Sequence, residues 1–496
     1  MRVRHGLILA VAWLVIALPA WAFLFLHSST SMVVASHDAV VTPTLDGHAR
    51  VEMGPYLPDL RRPTGSRFGV RIRLEKTTAT STGELVRRYA SIAGHPDGEV
   101  RRVTVEVEHL ARDAALRAGL LALLPIGLWQ LLGAERRAEL LRPTIRRSIG
   151  VVLVGGLVVL ALAEPWRGSP TRVQSDGWIP AQQALPEVTV PKELMDVQVQ
   201  GGLLTASTQR LLQSAFSGYD DSKMLYAKVE ASVPQIAGLL HLPDKGDTVA
   251  VLVSDRHDNI GMDGVVEAVS KAAGATVVLD AGDDTSTGEP WEAFSLDSLD
   301  QAFEKFDTRV AVSGNHDNGT FVNSYLEKLG WTHLDGKPVE PFAGVRMFGV
   351  DDPRASGLGN WRDEKGLTFA EVKQRVGDAV CDLDAKGKRV ATLMVHDANL
   401  GGTALERGCT DLVIAGHLHV QVGPDRIVGE NGNIGYTYTN GTTGGAAYAI
   451  AIGKPRREAE FTFITYRDGK PIGLQPIKVE TTGAFEVSEY LPLTLR

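Results

Sequence analysis

Residues Thr248 to His257 read T-V-A-V-L-V-S-D-R-H, a β-branched apolar run that stops at a carboxylate and an imidazole two positions apart. Such a run, bounded by polar residues, predicts a buried strand. Four runs downstream end in the same kind of side chain. Ala275 to Leu279 leads into Gly282-Asp283, and Arg309 to Val312 into Gly314-Asn315-His316-Asp317. Arg389 to Val395 leads into His396, and Asp411 to Ile414 into Gly416-His417-Leu418-His419. Val345 to Val350 is a further strand-like run, and helix-like stretches intervene near Met262 to Ala273, Trp291 to Phe306, Phe321 to Leu329 and Phe369 to Cys381. Beyond the last histidine pair come Ile434 to Thr439, Ala446 to Ile452 and a hairpin around Arg467-Asp468-Gly469. An α/β half followed by a β-rich half is therefore expected over 248–496.

Asp255 and His257, like His417 and His419, stand at i and i+2, which in extended chain points both side chains the same way. The carboxylate of Asp283 is suited to sit between two cations, because its charge offsets their repulsion. Asn315 offers a carbonyl oxygen without adding negative charge against an anionic substrate. A mixed carboxylate, amide and imidazole set suits Mn, Fe, Zn, Co or Ni better than Mg or Ca. Structural zinc is disfavoured, since it uses four closed ligands, often cysteine. Two divalent ions are thus expected on Asp255, His257, Asp283, Asn315, His396, His417 and His419. Such pairs, about 3.5–4 Å apart, clamp attacking and leaving oxygens.

In this order, D-x-H, G-D, G-N-H-D, H and G-H-x-H resemble the calcineurin-like metallophosphoesterase superfamily, over roughly Thr248 to Thr443. The resemblance implies a calcineurin-like two-sheet β sandwich flanked by helices, with the metals at the strand ends, and a metal-dependent phosphoric ester hydrolase. It implies that Asp255, His257 and His419 bind a first ion, that Asp283 bridges, and that Asn315, His396 and His417 bind a second. It further implies that His316 is a non-ligand histidine near the leaving group, held by Asp317. The expected reaction is in-line attack on phosphorus by a hydroxide shared between the ions. Protein Ser/Thr phosphatases of this superfamily read G-D-x-V-D-R-G and G-N-H-E, where this chain has Gly282-Asp283-Asp284-Thr285-Ser286 and G-N-H-D. Purple acid phosphatases carry a tyrosine three positions beyond the bridging aspartate, where this chain has Ser286. The pattern looks like the broad, mostly bacterial group of diverse phosphoesterases. A reading from another class is a catalytically weak metal-binding ectodomain with an assembly or sensing role; His316 beside Asn315 argues against it.

Around the motifs, Asp258, Asp284 and Asp397 are read as partly ligand-orienting and partly solvated loop residues. Arg256 is read as a phosphate contact or an outward-facing loop residue, and Tyr438 to Thr443 as a turn near the site. The remaining histidines, among them His27, His95, His241 and His333, stand alone.

The other half of the chain concerns location. At 496 residues, two or three folded units are expected, and the formal charge of -8 makes nucleic acid a poor partner. Gly6 to Leu26 carries no charge and suits a membrane span or signal anchor (1–26). Ala114 to Gly133 and Ser148 to Ala163, extending to Trp166, are two more candidate spans. Between them, 134–147 carries Arg136, Arg137, Arg142, Arg146 and Arg147, as a cytoplasmic loop does under the positive-inside rule. With Arg2 and Arg4 inside, parity makes the protein multi-pass in the cell membrane, with everything after Trp166 extracytoplasmic. Ala20-Trp21-Ala22 also resembles a signal-peptidase site, which changes the number of spans but not the side. Trp13, Trp21, Trp129 and Trp166 are read as interfacial anchors. Residues 27–113 alternate, as in Gly69 to Leu74 and Val103 to Val107, and predict a small external β-rich module. Residues 167–247 read as linker and then helix from Thr205 to Leu240. Only two cysteines occur, Cys381 and Cys409; a single bridge and two buried thiols both remain open. The partners implied are a phosphoester substrate and a lipid bilayer.

Overall fold

In a computed structural model of the chain, the described residues are 2–35, 37–53, 59–77, 96–133, 135–137, 177–184, 186, 190, 195–200, 221–357, 360–363, 366–446 and 453–495. The expected third span at Ser148 to Ala163, most of the basic loop, the part before residue 221 of the helix expected from Thr205 to Leu240 and most of the Ala446 to Ile452 strand lie outside them. The chain divides into two units, Met1–Thr78 with Glu99–Arg210, and Ala79–Gly98 with Leu211–Arg496.

The first unit opens with helix α1 (Arg2–Leu26), followed by strands β1 (Thr30–Val34), β2 (His37–Thr44), β3 (His48–Glu52), β4 (Leu60–Pro63) and β5 (Gly69–Thr77). Helix α2 (Pro96–Leu131) and strands β6 (Trp178–Pro180) and β7 (Gln198–Gln200) complete it, in a sheet ordered β1-β2-β5-β3-β4-β7-β6. The sheet thus draws two strands from beyond the expected 27–113 boundary. Val103 to Val107, expected as a strand, lies inside α2. The spacing is ambiguous: Val103 and Val107 are also i and i+4, and both pack on the sheet residues Val34, Val41 and Ile72, while Val105 is exposed. The pairs Glu99–Arg102, Glu108–Arg112 and Asp113–Arg117 run along the same helix at i,i+3 and i,i+4. Both Gly6–Leu26 and Glu99–Leu131 are long and apolar enough to cross a bilayer, a test that a signal sequence also passes. Trp13 and Trp21 donate their indole N–H groups to the carbonyls of Gly119 (2.9 Å) and Ala111 (3.1 Å) on α2. Next to them Ala114, Ala118 and Ala122 are buried at every fourth position, which lets the two backbones approach closely.

The second unit alternates strands with helices as its sequence predicts. Strands β8 (Thr248–Val253), β9 (Val277–Asp280), β10 (Thr308–Ala311) and β11 (Thr332–His333) alternate with α3 (Gly261–Ala272), α4 (Ala293–Phe303) and α5 (Phe321–Lys328). Next come β12 (Val339–Phe342), β13 (Val345–Val350), a hairpin of β14 (Arg354–Gly357) and β15 (Asn360–Asp363), α6 (Phe369–Ala385), β16 (Val390–Val395) and β17 (Thr410–Ala415). The remaining strands are β18 (Val422–Val428), β19 (Ile434–Thr439), β20 (Ala459–Arg467), β21 (Lys470–Val479), β22 (Phe485–Val487) and β23 (Leu491–Pro492).

They form two main sheets, β11-β10-β9-β8-β20-β21-β22 with β23 on β21, and β12-β13-β16-β17-β19-β18. β8 to β11 are mutually parallel, and so are β13, β16, β17 and β19. Period-two alternation divides each strand between two cores. Ala250 and Leu252 pack with Leu412, Ile414 and Met394 between the sheets, whereas Val249, Val251 and Val253 pack on α3 and α4. Val413 and Ala415 face α6 on the far side. Strands covered on both faces have no need of polar residues, so they read as continuous apolar runs. Parallel strands all end on one side, and there the metal-ligand types stand.

Cys381 on α6 and Cys409, next to β17, are bridged, with Cα atoms 5.0 Å apart. The unreduced, unfolded chain should therefore show no titratable thiol. Replacing both with alanine should cost about 2–4 kcal/mol of stability, read as a lower urea midpoint. Free thiols at these positions would overturn the pairing.

Candidate metal centre

Each expected ligand sits where a strand must stop. Asp255 (φ 54°), His257 (φ 45°), Asp283 (φ 59°), His417 (φ 76°) and His419 (φ 58°) all adopt the left-handed backbone region. Extended geometry was expected to aim the i, i+2 pairs. The observed device is different: left-handed residues fold the chain back at the sheet edge. Asp and His are among the few side chains that tolerate this conformation, and such strain gathers at functional sites. The glycines before the ligands admit close packing. A Cβ at Gly416 would overlap Asp255 Oδ2, and one at Gly314 would overlap Asp283 Oδ1.

Three triads of potential ligand atoms converge, each within 4.8 Å: Asp255, His257 and His419; Asp255, Asp283 and His396; His257, Asp283 and His316. His257 Nε2 lies 2.9 Å from His419 Nε2, which is 3.3 Å from Asp255 Oδ1. Two ligands about 2.1 Å from one tetrahedral ion are roughly 3.4 Å apart, so these spacings fit a shared cation. His396 Nδ1 donates to Ala281 O (2.8 Å), which turns its Nε2 lone pair towards Asp283 Oδ2, 3.1 Å away. Two buried acceptors at that distance repel unless a proton or a metal cation lies between them. The residues therefore fit divalent ions. Asn315 and His417 line the same cavity; His417 belongs to none of the carboxylate–imidazole triads, and its Nε2 stands 3.8 Å from Asp397 Oδ2.

The electrostatics follow from burial and from these facing charges. Burial favours the neutral Asp283 carboxyl, but His396 and the neighbouring imidazoles outweigh it and hold the group well below the usual range. Burial opposes charging His396, yet the carboxylates of Asp283, Asp255 and Asp352 raise its pKa well above the ordinary value. Burial takes His257 down to about 4, and burial with the nearby His396 lowers His417.

Behind the ligands lies a layer of buried charge. Asp317, expected to hold His316, does something else. Its carboxylate accepts from the N–H groups of Asp283 (2.7 Å), Gly314 (2.9 Å) and Thr285 (3.0 Å), and from Thr285 Oγ1 (2.7 Å). Burial, then Asp284 and Asp283, push its carboxyl up to about 8. It is a positioning residue for the Asp283 loop. The His316 ring is held by Ser286 O, 3.0 Å from Nδ1, and that loop is gathered by Glu292, which accepts from the N–H groups of Ser286, Thr287 and Glu289. Arg256 neither faces outward nor reaches the cavity. It is 1% exposed and forks onto Asp263 of α3 (2.9 and 2.6 Å), with Asp284 (3.1 Å) and Ser295 O (3.1 Å) beside it. Asp258, Asp284 and Asp397 are all buried, so none is a solvated loop residue. Asp397 is bound by Arg354, 2.8 Å away, and Arg354 also forks onto Asp352. The run after Tyr438 buttresses the first motif: Thr442 Oγ1 donates to Asp255 O (2.7 Å) and Thr443 N to Ser254 O (2.8 Å).

The cavity has a volume of about 450 Å³ and is lined by Asp283, Asn315, His316, His417, Leu418, His419, Ala446, Arg456 and Arg457. Sequence reasoning missed Arg456, Arg457, Arg354 and Glu292. Arg456 and Arg457 stand side by side before β20, Arg354 opens β14 and Glu292 ends a short helical turn before α4, and no spacing relates any of them to the motifs.

Residues 249–421 match the family model described as calcineurin-like phosphoesterase. No curated protein sequence matches the chain. Among solved structures, the chain is similar to a 5'-nucleotidase precursor from Thermus thermophilus, at 15% identity and TM-score 0.30, over 50% of this chain and 55% of that one. It is similar to an NAD nucleotidase from Haemophilus influenzae, at 14% identity and TM-score 0.29, over 50% of each chain. A dimetal phosphatase from Danio rerio aligns at 13% identity and TM-score 0.34, over 50% of this chain and 99% of that one. The chain spans about half the length of the first two. At these TM-scores the likeness adds nothing to the assignment, which rests on the family match and on the motifs inside it. The matched segment, 249–421, contains every expected ligand, and over it the chain is similar to the calcineurin-like phosphoesterases.

Proposed function

We propose that this chain is a membrane-anchored, dinuclear metal-dependent phosphoesterase that hydrolyses phosphoesters outside the cytoplasm. The observation that carries the reading is the convergence of three carboxylate–imidazole triads on Asp255 and Asp283, at the ends of parallel strands. Asp255, His257 and His419 would hold one ion and Asn315, His396 and His417 the other, with Asp283 available to both. When bound, two divalent cations supply charge neutralisation at the phosphoryl oxygens and make water more acidic. The protein contributes orientation. With Nδ1–H on Ser286 O, His316 presents Nε2 to the cavity, where it can hold the proton that the departing oxygen needs. Asp317 keeps Asp283 and His316 in register through the loop hydrogen bonds. The disulfide supports an oxidising compartment, and the two long apolar helices support the anchor.

The chain should cleave a chromogenic phosphoester only with a divalent metal such as Mn, and chelation should abolish turnover. His316→Ala should lower kcat by roughly 10²–10⁴-fold, the range for loss of a positioned acid–base group, and Asp283→Ala should lower metal content and turnover together; undiminished rates in both would sink the assignment. Metal binding must displace the proton that Asp283 favours on His396. Metal affinity should therefore fall as pH is lowered, with proton release on binding measurable by calorimetry in two buffers. A reporter fused to the C-terminus should be active only outside the cytoplasm.

A further inference from the structure

The segment that supplies His417 and His419 also carries Leu418, Val420 and Val422, and these three are 52%, 50% and 41% exposed. They alternate with His417, His419 and Gln421, which are partly covered. Isolated exposed apolar residues are ordinary, but three within five residues of one segment, starting at the cavity, leave an exposed aliphatic ridge beside it. Two of its neighbours are expected metal ligands, so the ridge is fixed in register with the chemistry. Leu418 itself lines the cavity, and so do Arg456 and Arg457, both exposed. The cavity lining therefore combines cationic and aliphatic groups. A purely polar ester would gain nothing from the ridge, and an uncharged amphiphile nothing from the arginines.

We infer that the substrate is an amphiphilic phosphoester, with its phosphoryl group between the ligand cluster and Arg456 and Arg457, and its aliphatic alcohol along Leu418, Val420 and Val422. This deepens the phosphoesterase reading and rests on it. Water supplies the oxygen of the new P–O bond and releases a proton to solvent, the P–O bond to the alcohol breaks, and the alcohol leaves with a proton from His316, which solvent restores. Arginine suits the phosphoryl group because its planar fork matches two of the oxygens. The ridge suits an alkyl chain because each methylene removed from water contributes up to about fourfold in affinity, and less on a one-sided surface.

The test is kcat/KM of the full-length chain, with Mn, on monoalkyl phosphates and their methyl diesters from ethyl to decyl, all below micellar concentrations. The inference predicts a rise of about twofold per methylene, as expected for partial burial. Leu418→Ser combined with Val420→Ser should flatten that dependence, and a flat profile must come with unchanged metal content. Leu418→Met, which keeps the ridge apolar, should retain it. Because variants share one preparation, partitioning of long chains into detergent or lipid cancels in the comparison. Arg456→Ala with Arg457→Ala should instead raise KM by a similar factor at every chain length. Hydrolysis indifferent to chain length, or equally dependent in the serine variant, overturns the inference and leaves the phosphoesterase reading standing. No metal-dependent hydrolysis of any ester overturns both.

Discussion

A buried carboxylate that faces imidazole lone pairs is the constraint on which the second unit is organised. Asp283 and His396 are each almost wholly inaccessible, and both present acceptors to the same small space. The fold does not relieve this by turning either side chain away. Nδ1 of His396 is committed to Ala281 O, and Asp283 Oδ1 accepts the His316 N–H at 2.7 Å. What remains is a site that gains stability from whatever positive charge enters it.

Holding such a site open has a structural consequence one layer back. Loops that reverse at a sheet edge leave N–H groups without strand partners, and buried N–H groups need acceptors. Asp317 and Glu292 supply them, one collecting the Asp283 turn and the other the Ser286 turn. Arg256 offsets the charge of Asp263 and Asp284 and ties the first motif to α3 and α4. The surrounding acids are thus scaffolding, and their burial with partners is what makes them tolerable.

The fold of this unit was legible because buried parallel strands write themselves as short apolar runs, and because each run stops at a polar residue that tolerates a reversed backbone. Thr248–Val253 and Val390–Val395 lie almost where the sequence puts them. Side-chain direction was less legible. Asp317 follows His316 directly, and adjacency in sequence suggested contact, whereas the backbone turns the carboxylate back into the Gly282–Thr285 loop. Arg256 lies between two expected ligands and yet points into the helices, since its neighbours' left-handed geometry sends it the other way. In the first unit, Val103 and Val107 satisfy the spacing of a strand and of a helix together, and only the long-range partner sheet decides between them. Short edge strands such as Trp178–Pro180 carry too few residues to show a period.

The left-handed backbone at Asp255, His257, Asp283, His417 and His419 also narrows the routes by which the metal preference of this site can drift. Left-handed geometry costs most side chains about 1–2 kcal/mol, and β-branched ones more, whereas Asn, Asp and His carry little of that penalty. Exchanges among those three remain open at such positions, while a shift to thiolate or to the longer Glu meets the backbone first. His396 and Asn315 are under no such restriction. A change of side-chain type is thus easiest at those two positions, whereas the left-handed ones hold the rest of the cluster to a narrow choice.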